Sequence, residues 1–257
     1  MTHPWFDGVG TPRVLAHRGL VTPDDAADGM VENSFAAVAA AHAAGVAYVE
    51  SDCHLTADGQ VVLFHDSDLK RVTGDPRTLA EVTVRELEEL MGDRGGLITL
   101  AQALDAFPTL RFNIDVKVDA AARPAGAIIG PHASRVLLTS FSDRRRLSAL
   151  EAAVAHGGAP ATSGGRSTII RALTAVRAGL RTALRRALTG VDALQVPERQ
   201  GPVKIVTRRF VEAAHRVGAE VHVWTVNDPA DMRRLVALGV DGIITDRADI
   251  ALATLRP

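Results

Sequence analysis

Short apolar segments with the character of strands alternate with helical segments about eight times along the chain, which has 257 residues. The first strand is expected at residues 13–16 and the last at residues 240–245. Successive parallel strands need a crossover connection, and that connection is usually a helix. Eight strand–helix units in about 250 residues are typical of a closed barrel. The order of the segments therefore predicts an α/β fold, the (β/α)8 TIM barrel.

No linker divides the chain, so residues 1–257 are expected to form a single barrel domain. A doubly wound sheet is the alternative fold, but the chain has no obvious glycine-rich dinucleotide loop. Residues 1–12 are expected to be an irregular arm, and residues 21–32 and 67–80 are expected to be polar loops.

One segment departs from the alternation of strand and helix. Residues 49–54 and 61–66 are expected to be two strands joined by a tight turn at Asp58-Gly59. The second strand of such a hairpin runs antiparallel to the first, so it cannot be the next parallel strand of the barrel. The sequence therefore predicts an antiparallel hairpin excursion after the second barrel strand.

Acidic side chains alternate along the first strand of this hairpin. Glu50 and Asp52 face the same side, with Cα atoms about 6.6 Å apart, so both carboxylates can bind one cation. If the chain reverses around residues 57–58, His65 lies opposite Glu50 and beside the pair. Two acids and an imidazole on one hairpin can form a site or a solvated face, and both interpretations stay open.

The composition is ordinary for a soluble globular enzyme, with 47% hydrophobic and 23% charged residues and a formal net charge of −1. A net charge near zero argues against a nucleic-acid-binding protein. The first residues lack the basic and apolar regions of a signal peptide, and no segment has the length of a membrane span. Cys53 is the only cysteine, which excludes an intrachain disulfide and fits a reducing compartment. We therefore expect a cytoplasmic protein; its oligomeric state stays open.

Polar residues gather at the carboxyl ends of the predicted strands, where barrel enzymes carry their sites. Each is more often a bystander when taken alone, but together they predict one site at one end of the barrel. In chain order, they are His17, Arg18, Glu50, Asp52, Asp115, Lys117, Trp224 and Asp246.

Most of these residues belong to short motifs: His17-Arg18-Gly19, Glu32-Asn33-Ser34, Glu50-x-Asp52, Thr56-x-Asp58-Gly59, His65-Asp66, Trp224-Thr225-Val226-Asn227 and Gly239-Val240-Asp241-Gly242-Ile243-Ile244-Thr245-Asp246. Together the motifs resemble the signature of the glycerophosphodiester phosphodiesterase family, which belongs to the phospholipase C-like phosphodiesterase barrel superfamily. The resemblance runs from about residue 14 to residue 250.

The resemblance implies a barrel enzyme that uses one divalent cation, Mg²⁺ or Ca²⁺, to cleave glycerophosphodiesters into glycerol 3-phosphate and an alcohol. It implies that His17 and His65 are the acid and base and that Glu50, Asp52 and Asp115 bind the metal ion. The third ligand is usually the Glu of a Glu-x-Lys motif, and this chain has Asp115-Val116-Lys117 at that place. Because Asp is shorter by one methylene group, the choice between Mg²⁺ and Ca²⁺ stays open. Carboxylate oxygens suit hard cations such as Mg²⁺ and Ca²⁺.

Further roles follow from charge and position. Arg18 and Lys117 are expected to hold the phosphate, while Trp224 is expected either to form an apolar wall for the glycerol or to pack at the barrel rim. Glu32 and Asn33 are expected to support the site as part of their motif. His54, which faces the same way as Asp52, is either an extra metal ligand or a surface histidine.

Our mechanistic hypothesis assigns one proton transfer to each of the two catalytic histidines. His17 takes the proton from the glycerol 2-hydroxyl as this attacks the phosphorus, and His65 protonates the leaving alcohol. The cyclic phosphate that forms is then opened by water. The opposite assignment of acid and base stays open.

Residues 152–191 contain no Asp or Glu and include six arginines. Apolar residues recur at helical spacing, which predicts one long helix over residues 168–188. That helix can be a cationic amphipathic helix that contacts anionic lipid or an outer barrel helix that packs on the strands.

Other functions are also compatible with the sequence. A lysophospholipase D or a sphingomyelinase D-like enzyme could use the same barrel on acylated substrates. A Schiff-base aldolase could use Lys117 as its nucleophile. A barrel without catalytic activity could serve as a binding module.

Overall fold

The computed structural model of the protein describes residues 3–255. Within this range the chain forms eleven strands: β1 (Arg13–His17), β2 (Tyr48–Leu55), β3 (Val61–Leu63), β4 (Arg111–Val116), β5 (Val136–Thr139), β6 (Ala161–Thr162), β7 (Ala193–Pro197), β8 (Arg199–Gln200), β9 (Val203–Lys204), β10 (Glu220–Trp224) and β11 (Gly242–Thr245).

The same residues form twelve α-helices: α1 (Pro23–Ala27), α2 (Phe35–Ala43), α3 (Lys70–Thr73), α4 (Val84–Met91), α5 (Leu100–Ala106), α6 (Asp119–Ile129), α7 (Asp143–His156), α8 (Arg166–Ala178), α9 (Arg181–Ala187), α10 (Arg208–His215), α11 (Pro229–Ala237) and α12 (Ala248–Leu255). None of the helices in the described range is long and apolar enough to span a membrane.

Eight parallel strands form a nearly closed barrel that is surrounded by helices. They follow the order β6-β5-β4-β2-β1-β11-β10-β7. A single parallel bridge between Ser163 and Ala193 connects the two outer strands of this order. The (β/α)8 barrel predicted from the alternation of segments is confirmed.

Capping side chains mark the start of two of the helices. Ser34 caps α2, because its Oγ accepts a hydrogen bond from the backbone N–H of Ala37. Thr83 and Glu86 form a capping box at the start of α4.

The antiparallel hairpin follows the second barrel strand as predicted, but its register differs by one residue. β2 pairs with β3 so that Cys53 lies opposite Leu63, which centres the reversal on Asp58 rather than between residues 57 and 58. The N–H of Thr56 donates to the carbonyl of Gln60 and closes the loop. Residues 57–59 lie between this pair, so the loop is longer than a two-residue turn. β3 also ends at Leu63, so His65 lies beyond the paired ladder.

The helix predicted over residues 168–188 is wrong, because two helices occupy this region. α8 ends where Gly179 takes a left-handed conformation with φ 72°, which is favourable for glycine and stops the helix. The apolar stripe is also interrupted, since Leu180 is 57% exposed. Packing on the barrel explains most of the remaining stripe, whose Val176 and Leu184 are buried in the core.

Three segments expected to be irregular contain short elements. The arm at residues 1–12 includes a 3-10 turn at Pro4–Phe6, and residues 1 and 2 lie outside the described range. Trp5 is fully buried in this turn, and its Nε1 donates to the carbonyl of Phe112 on β4. The loops at 21–32 and 67–80 contain α1 and α3.

Candidate active site

A cavity of about 600 Å³ opens at the carboxyl ends of the barrel strands. Eight of the ten predicted site residues line it, whereas Glu32 and Asn33 do not. The eight are His17, Arg18, Glu50, Asp52, His65, Asp115, Lys117 and Trp224.

Three buried carboxylates lie close together on neighbouring strands. Glu50 and Asp52 lie on β2, and the register places Asp115 of β4 directly beside Asp52. Their residues are 6%, 2% and 4% exposed, in that order. Burial and the charge of Asp52 raise the pKa of Glu50 to about 8. Burial also raises the pKa of Asp115, although the charge of Lys117 opposes that shift.

Two cationic side chains offset this concentration of acid. The Nζ of Lys117 lies 2.7 Å from Oδ1 of Asp52 and 2.7 Å from Oδ2 of Asp115. Arg18 places its Nε 3.1 Å from Oδ2 of Asp52. Both residues predicted to hold a phosphate therefore contact the carboxylates.

The backbone at Arg18 follows an unusual path that fixes the position of this side chain. Arg18 has φ 60°, in the left-handed region that L-residues rarely adopt. Its N–H donates to the carbonyl of Glu50 at 2.7 Å, which holds the turn onto β2. Gly19 is required next, because a Cβ there would lie 2.6 Å from the backbone carbon of Ala37.

Asn33 supports the carboxylates from behind β2. This residue is 2% exposed and also has a positive φ, 58°. Its Nδ2 donates to Oδ2 of Asp52 at 3.3 Å, and its Oδ1 accepts from the hydroxyl of Ser51 at 2.6 Å. Asn33 thereby links the two faces of the strand at the site.

His17 is held by a carboxylate from the last barrel strand. Its Nδ1 lies 2.6 Å from Oδ1 of Asp246, and its Nε2 lies 3.8 Å from Oε2 of Glu50. Burial lowers the pKa of His17, but the hydrogen bond to Asp246 and the charge of Glu50 outweigh burial, so the pKa is raised overall. The contact with Asp246 leaves Nε2 as the ring nitrogen directed towards the carboxylates.

His65 has a similar carboxylate partner. Its Nδ1 lies 2.6 Å from Oδ1 of Asp66. Arg71 donates from Nε to Asp66 and from Nη2 to Glu32, each at 2.6 Å. Glu32 therefore acts on His65 through Arg71 and Asp66, and it also contacts the site directly, because Nη1 of Arg18 lies 3.4 Å from its Oε1.

His54 is neither a surface residue nor part of the cavity wall. It is 3% exposed, and its Nε2 lies 3.1 Å from the backbone carbonyl of His65. This contact ties the His65 segment to β2 beyond the end of the paired ladder.

Apolar side chains form the other half of the cavity. Trp224 packs edge-on against Phe141, with ring centroids 5.9 Å apart, at the mouth. The remaining apolar wall comes from α8 and from the segments that flank the β8–β9 hairpin. Its aliphatic side chains are Ile169, Ile170, Leu173, Val203 and Ile205.

Long-range partners of the site are the part that sequence reasoning missed. Asp246 is separated from His17 by 229 positions, and the sequence marked it only as a polar residue at a strand end. Arg71 lay in a segment expected to be loop, with no motif to single it out. The His65-Asp66 doublet was the one local signal for a histidine–carboxylate pair.

No three His, Cys, Asp or Glu side chains among residues 3–255 form a ready-made metal cluster. One atom of the carboxylate group nevertheless lacks a partner. Oδ1 of Asp115 is buried and has no hydrogen-bond partner within the described part of the chain. A buried acceptor without a partner is destabilising unless a ligand satisfies it.

Comparison with known proteins decides the family. The model of the glycerophosphoryl diester phosphodiesterase family matches residues 17–250. The chain belongs to this family. The resemblance that the sequence motifs indicated is thereby confirmed, and the chain is a phosphodiester hydrolase.

Relatives within the glycerophosphoryl diester phosphodiesterase family support the assignment. The chain is 35% identical over 240 residues to a probable glycerophosphodiester phosphodiesterase 2 of Mycobacterium tuberculosis, covering 92% of this chain and 88% of that protein. The crystal structure of a glycerophosphodiester phosphodiesterase from Thermotoga maritima superposes with a TM-score of 0.70 at 28% identity, covering 95% of this chain and 97% of that one. A shorter match, 32% over 119 residues, relates 41% of this chain to 36% of the human lysophospholipase D GDPD1.

The environment of Lys117 argues against the Schiff-base alternative. A lysine nucleophile must lose its proton to attack a carbonyl group. Burial lowers the pKa of Lys117, but the charges of Asp115 and Asp52 outweigh burial and raise it overall. The ammonium form is therefore favoured, which fits a phosphodiesterase better than an aldolase.

The contact between His17 and Asp246 predicts a pKa change that can be measured directly. In Asp246→Asn the carboxylate charge is lost, so the His17 ring should release its proton at lower pH than in the wild type. NMR titration of the histidine rings measures this change. Asp241→Asn is the matched control, because Asp241 contacts His215 outside the site at 2.7 Å. An unchanged or higher pKa of His17 in Asp246→Asn would contradict the assignment.

Proposed function

We propose that this chain is a metal-dependent glycerophosphodiester phosphodiesterase that releases glycerol 3-phosphate by acid–base catalysis with His17 and His65. The observation that carries the proposal is the group of three buried carboxylates between two histidines, each histidine held at Nδ1 by its own carboxylate. We further propose that residues 1–257 act as one barrel domain.

The carboxylates fit a divalent cation through their chemistry. Three oxygen donors are the kind of ligand set that Mg²⁺ and Ca²⁺ prefer. The pKa of Glu50, raised to about 8 by burial and by Asp52, indicates that three buried negative charges are poorly compensated by the protein alone. Asp115 adds the partnerless Oδ1. Glu50, Asp52 and Asp115 would hold the ion, which when bound polarises a phosphate oxygen and favours ionisation of the attacking hydroxyl.

The two histidines are arranged to move protons at Nε2. When Nδ1 donates its proton to a carboxylate, the neutral ring presents Nε2 as an acceptor. In this proposal Nε2 of His17 takes the proton of the glycerol 2-hydroxyl, and Nε2 of His65 gives a proton to the leaving alcohol. Asp246 and Asp66 hold the Nδ1 side of each ring in place.

Arg18 and Lys117 supply the positive charge that a phosphate diester needs. Both already contact Asp52, and both line the cavity. An arriving phosphate would compete with the carboxylates for these cations, while the metal ion would take over the carboxylate oxygens. Arg18 can present two parallel N–H groups to a phosphate, and Lys117 can present one ammonium group.

Loss of either histidine should abolish most of the proposed activity. We expect His17→Ala and His65→Ala to lower kcat for glycerophosphocholine by about 10²–10⁴, since each removes one proton transfer. His42→Ala is the matched control, because His42 lies on α2 and contacts Thr109 at 3.2 Å, away from the cavity. Release of glycerol 3-phosphate is measured with chelator and after addition of Mg²⁺ or Ca²⁺. Full activity in chelator, or in either site variant, would refute this function.

The apolar half of the cavity favours a second candidate substrate class. Ile170 and Phe141 are 53% and 57% exposed at the mouth. Exposed large apolar side chains next to a cavity often mark a binding surface. A lysophospholipid has a phosphodiester for the polar half and an acyl chain for the apolar half. The human relative named a lysophospholipase D makes this class worth testing beside free glycerophosphodiesters.

A polar substitution in the apolar wall separates the two substrate classes. Ile170→Ser should raise KM for lysophosphatidylcholine several-fold and leave KM for glycerophosphocholine unchanged, because burying one aliphatic side chain against a ligand contributes about 1–2 kcal/mol. Val154→Ser is the matched control, since Val154 is 60% exposed on α7 and does not line the cavity. An equal effect on both substrates would remove the acyl-binding role.

Contact with anionic lipid through the region of α8 and α9 is a separate proposal. Arg177, Arg181 and Arg185 lie there on the exposed surface, where they can attract acidic headgroups. We expect the protein to sediment with vesicles that contain phosphatidylserine but not with pure phosphatidylcholine vesicles. The triple substitution Arg177/Arg181/Arg185→Glu should abolish sedimentation without changing hydrolysis of glycerophosphocholine. Absence of wild-type binding to acidic vesicles would exclude the contact.

A further inference from the structure

A line of buried polar side chains crosses the barrel below the carboxylates. It begins at Glu220, near the amino end of β10, and passes through His222 and Gln195 to Asn113 on β4. Nε2 of His222 lies 2.9 Å from Oε2 of Glu220, and Nε2 of Gln195 lies 3.3 Å from Nδ1 of His222. Nδ2 of Asn113 donates to Oε1 of Gln195 at 3.2 Å. We call these four residues the cross-barrel relay.

The chemistry of the groups gives the cross-barrel relay a single direction. The carboxylate of Glu220 only accepts, so Nε2 of His222 donates to it, and in the neutral ring Nδ1 is the acceptor. In the structure Gln195 turns its amide nitrogen towards this Nδ1 and its oxygen towards Asn113. That oxygen in turn requires the amide nitrogen of Asn113, which leaves the oxygen of Asn113 for another partner.

The starting point of the relay is held firmly. Arg13 is 4% exposed and contacts Glu220 through Nε and an η nitrogen, each at 2.9 Å. Burial raises the pKa of Glu220, but the hydrogen bonds from His222 and Arg13 outweigh burial and lower it to about 2, so the carboxylate form is favoured. His222 is fully buried. The orientation of the amide on β4 is therefore set by an ion pair at the other end of the barrel.

The far end of the relay lies in the wall of the active-site cavity. Asn113 is 1% exposed and pairs directly with Glu50 in the register between β4 and β2. Its Oδ1 is buried and has no hydrogen-bond partner among residues 3–255. A packing residue at this position would not leave an acceptor unsatisfied in contact with the site, because such an atom destabilises the fold.

We propose that Oδ1 of Asn113 accepts a hydrogen bond from an O–H group bound in the active site, and that Glu220, His222 and Gln195 are positioning residues that hold this oxygen in place. The O–H group belongs either to a glycerol hydroxyl of the substrate or to a water molecule on the cation. The proposal rests on the proposed function, since both donors come with a glycerophosphodiester or its metal ion.

Binding of sn-glycerol 3-phosphate, measured by calorimetry with Mg²⁺ or Ca²⁺ present, tests Asn113 without turnover. We expect Asn113→Leu to weaken binding about three- to tenfold, the usual effect of one lost hydrogen bond. Gln195→Leu should act in the same direction, because it frees the amide to turn. In Gln195→Glu one carboxylate oxygen still accepts from Nδ2 of Asn113, and the other accepts from Nδ1 of His222 when that ring binds a second proton, so the affinity should stay near that of the wild type.

Additivity distinguishes positioning from a general loss of stability. If Gln195 acts only through Asn113, the double variant Asn113→Leu/Gln195→Leu binds as weakly as Asn113→Leu alone. Multiplied effects in the double variant, or equal losses in Gln195→Leu and Gln195→Glu, would overturn the relay. Melting temperatures identify variants that fail to fold. If Asn113→Leu fails to fold, the comparison of Gln195→Leu with Gln195→Glu still tests whether Gln195 holds Asn113 in place.

A second ligand identifies the donor. Propyl phosphate lacks both glycerol hydroxyls, so Asn113→Leu should bind it as the wild type does if the donor is a glycerol hydroxyl. An equal loss of affinity for propyl phosphate identifies the water on the cation instead. Wild-type affinity of Asn113→Leu for both ligands would overturn the proposal. Wild-type protein that binds glycerol 3-phosphate as described but does not hydrolyse glycerophosphocholine would refute the proposed function and leave the role of Asn113 standing.

Discussion

Electrostatic repulsion among Glu50, Asp52 and Asp115 is the constraint that the rest of the site depends on. Three carboxylates buried side by side are unfavourable unless positive charge and hydrogen-bond donors surround them. Lys117 and Arg18 supply the charge in the structure. The left-handed backbone at Arg18 allows its N–H to bond the carbonyl of Glu50, which keeps the guanidinium beside the carboxylates.

The barrel and the position of its site were predictable from the sequence because both depend on local patterns. Alternation of strand and helix fixes the architecture, and parallel strands bring their carboxyl ends together at one edge. Side-chain parity along β2 then places Glu50 and Asp52 on one face. The predicted hairpin register was wrong by one residue. Asp58-Gly59 signals a tight turn, but the same dipeptide also fits the longer loop that the hydrogen bond of Thr56 closes.

Other features depend on contacts between distant parts of the chain, and no local pattern contains them. Asp246 reaches His17 only because β11 and β1 are neighbours in the closed barrel. Trp5 fills the barrel interior although its segment reads as an irregular arm. The break at Gly179 was readable as a helix stop signal, but the continuing apolar stripe concealed it. Sequence periodicity describes which face is buried and does not establish that one helix carries it.

Strand pairing in the barrel is most extensive at the carboxylates and least extensive at the seam between β6 and β7. β2 and β4, which carry the carboxylates, share six paired positions, whereas β5 and β6 share two and the seam between β6 and β7 has the single bridge at Ser163. Few backbone hydrogen bonds mean a low free energy of local opening. The seam adjoins the start of α8, whose side chains form part of the apolar wall. Local opening there would change the apolar half of the cavity and leave the acidic half in place.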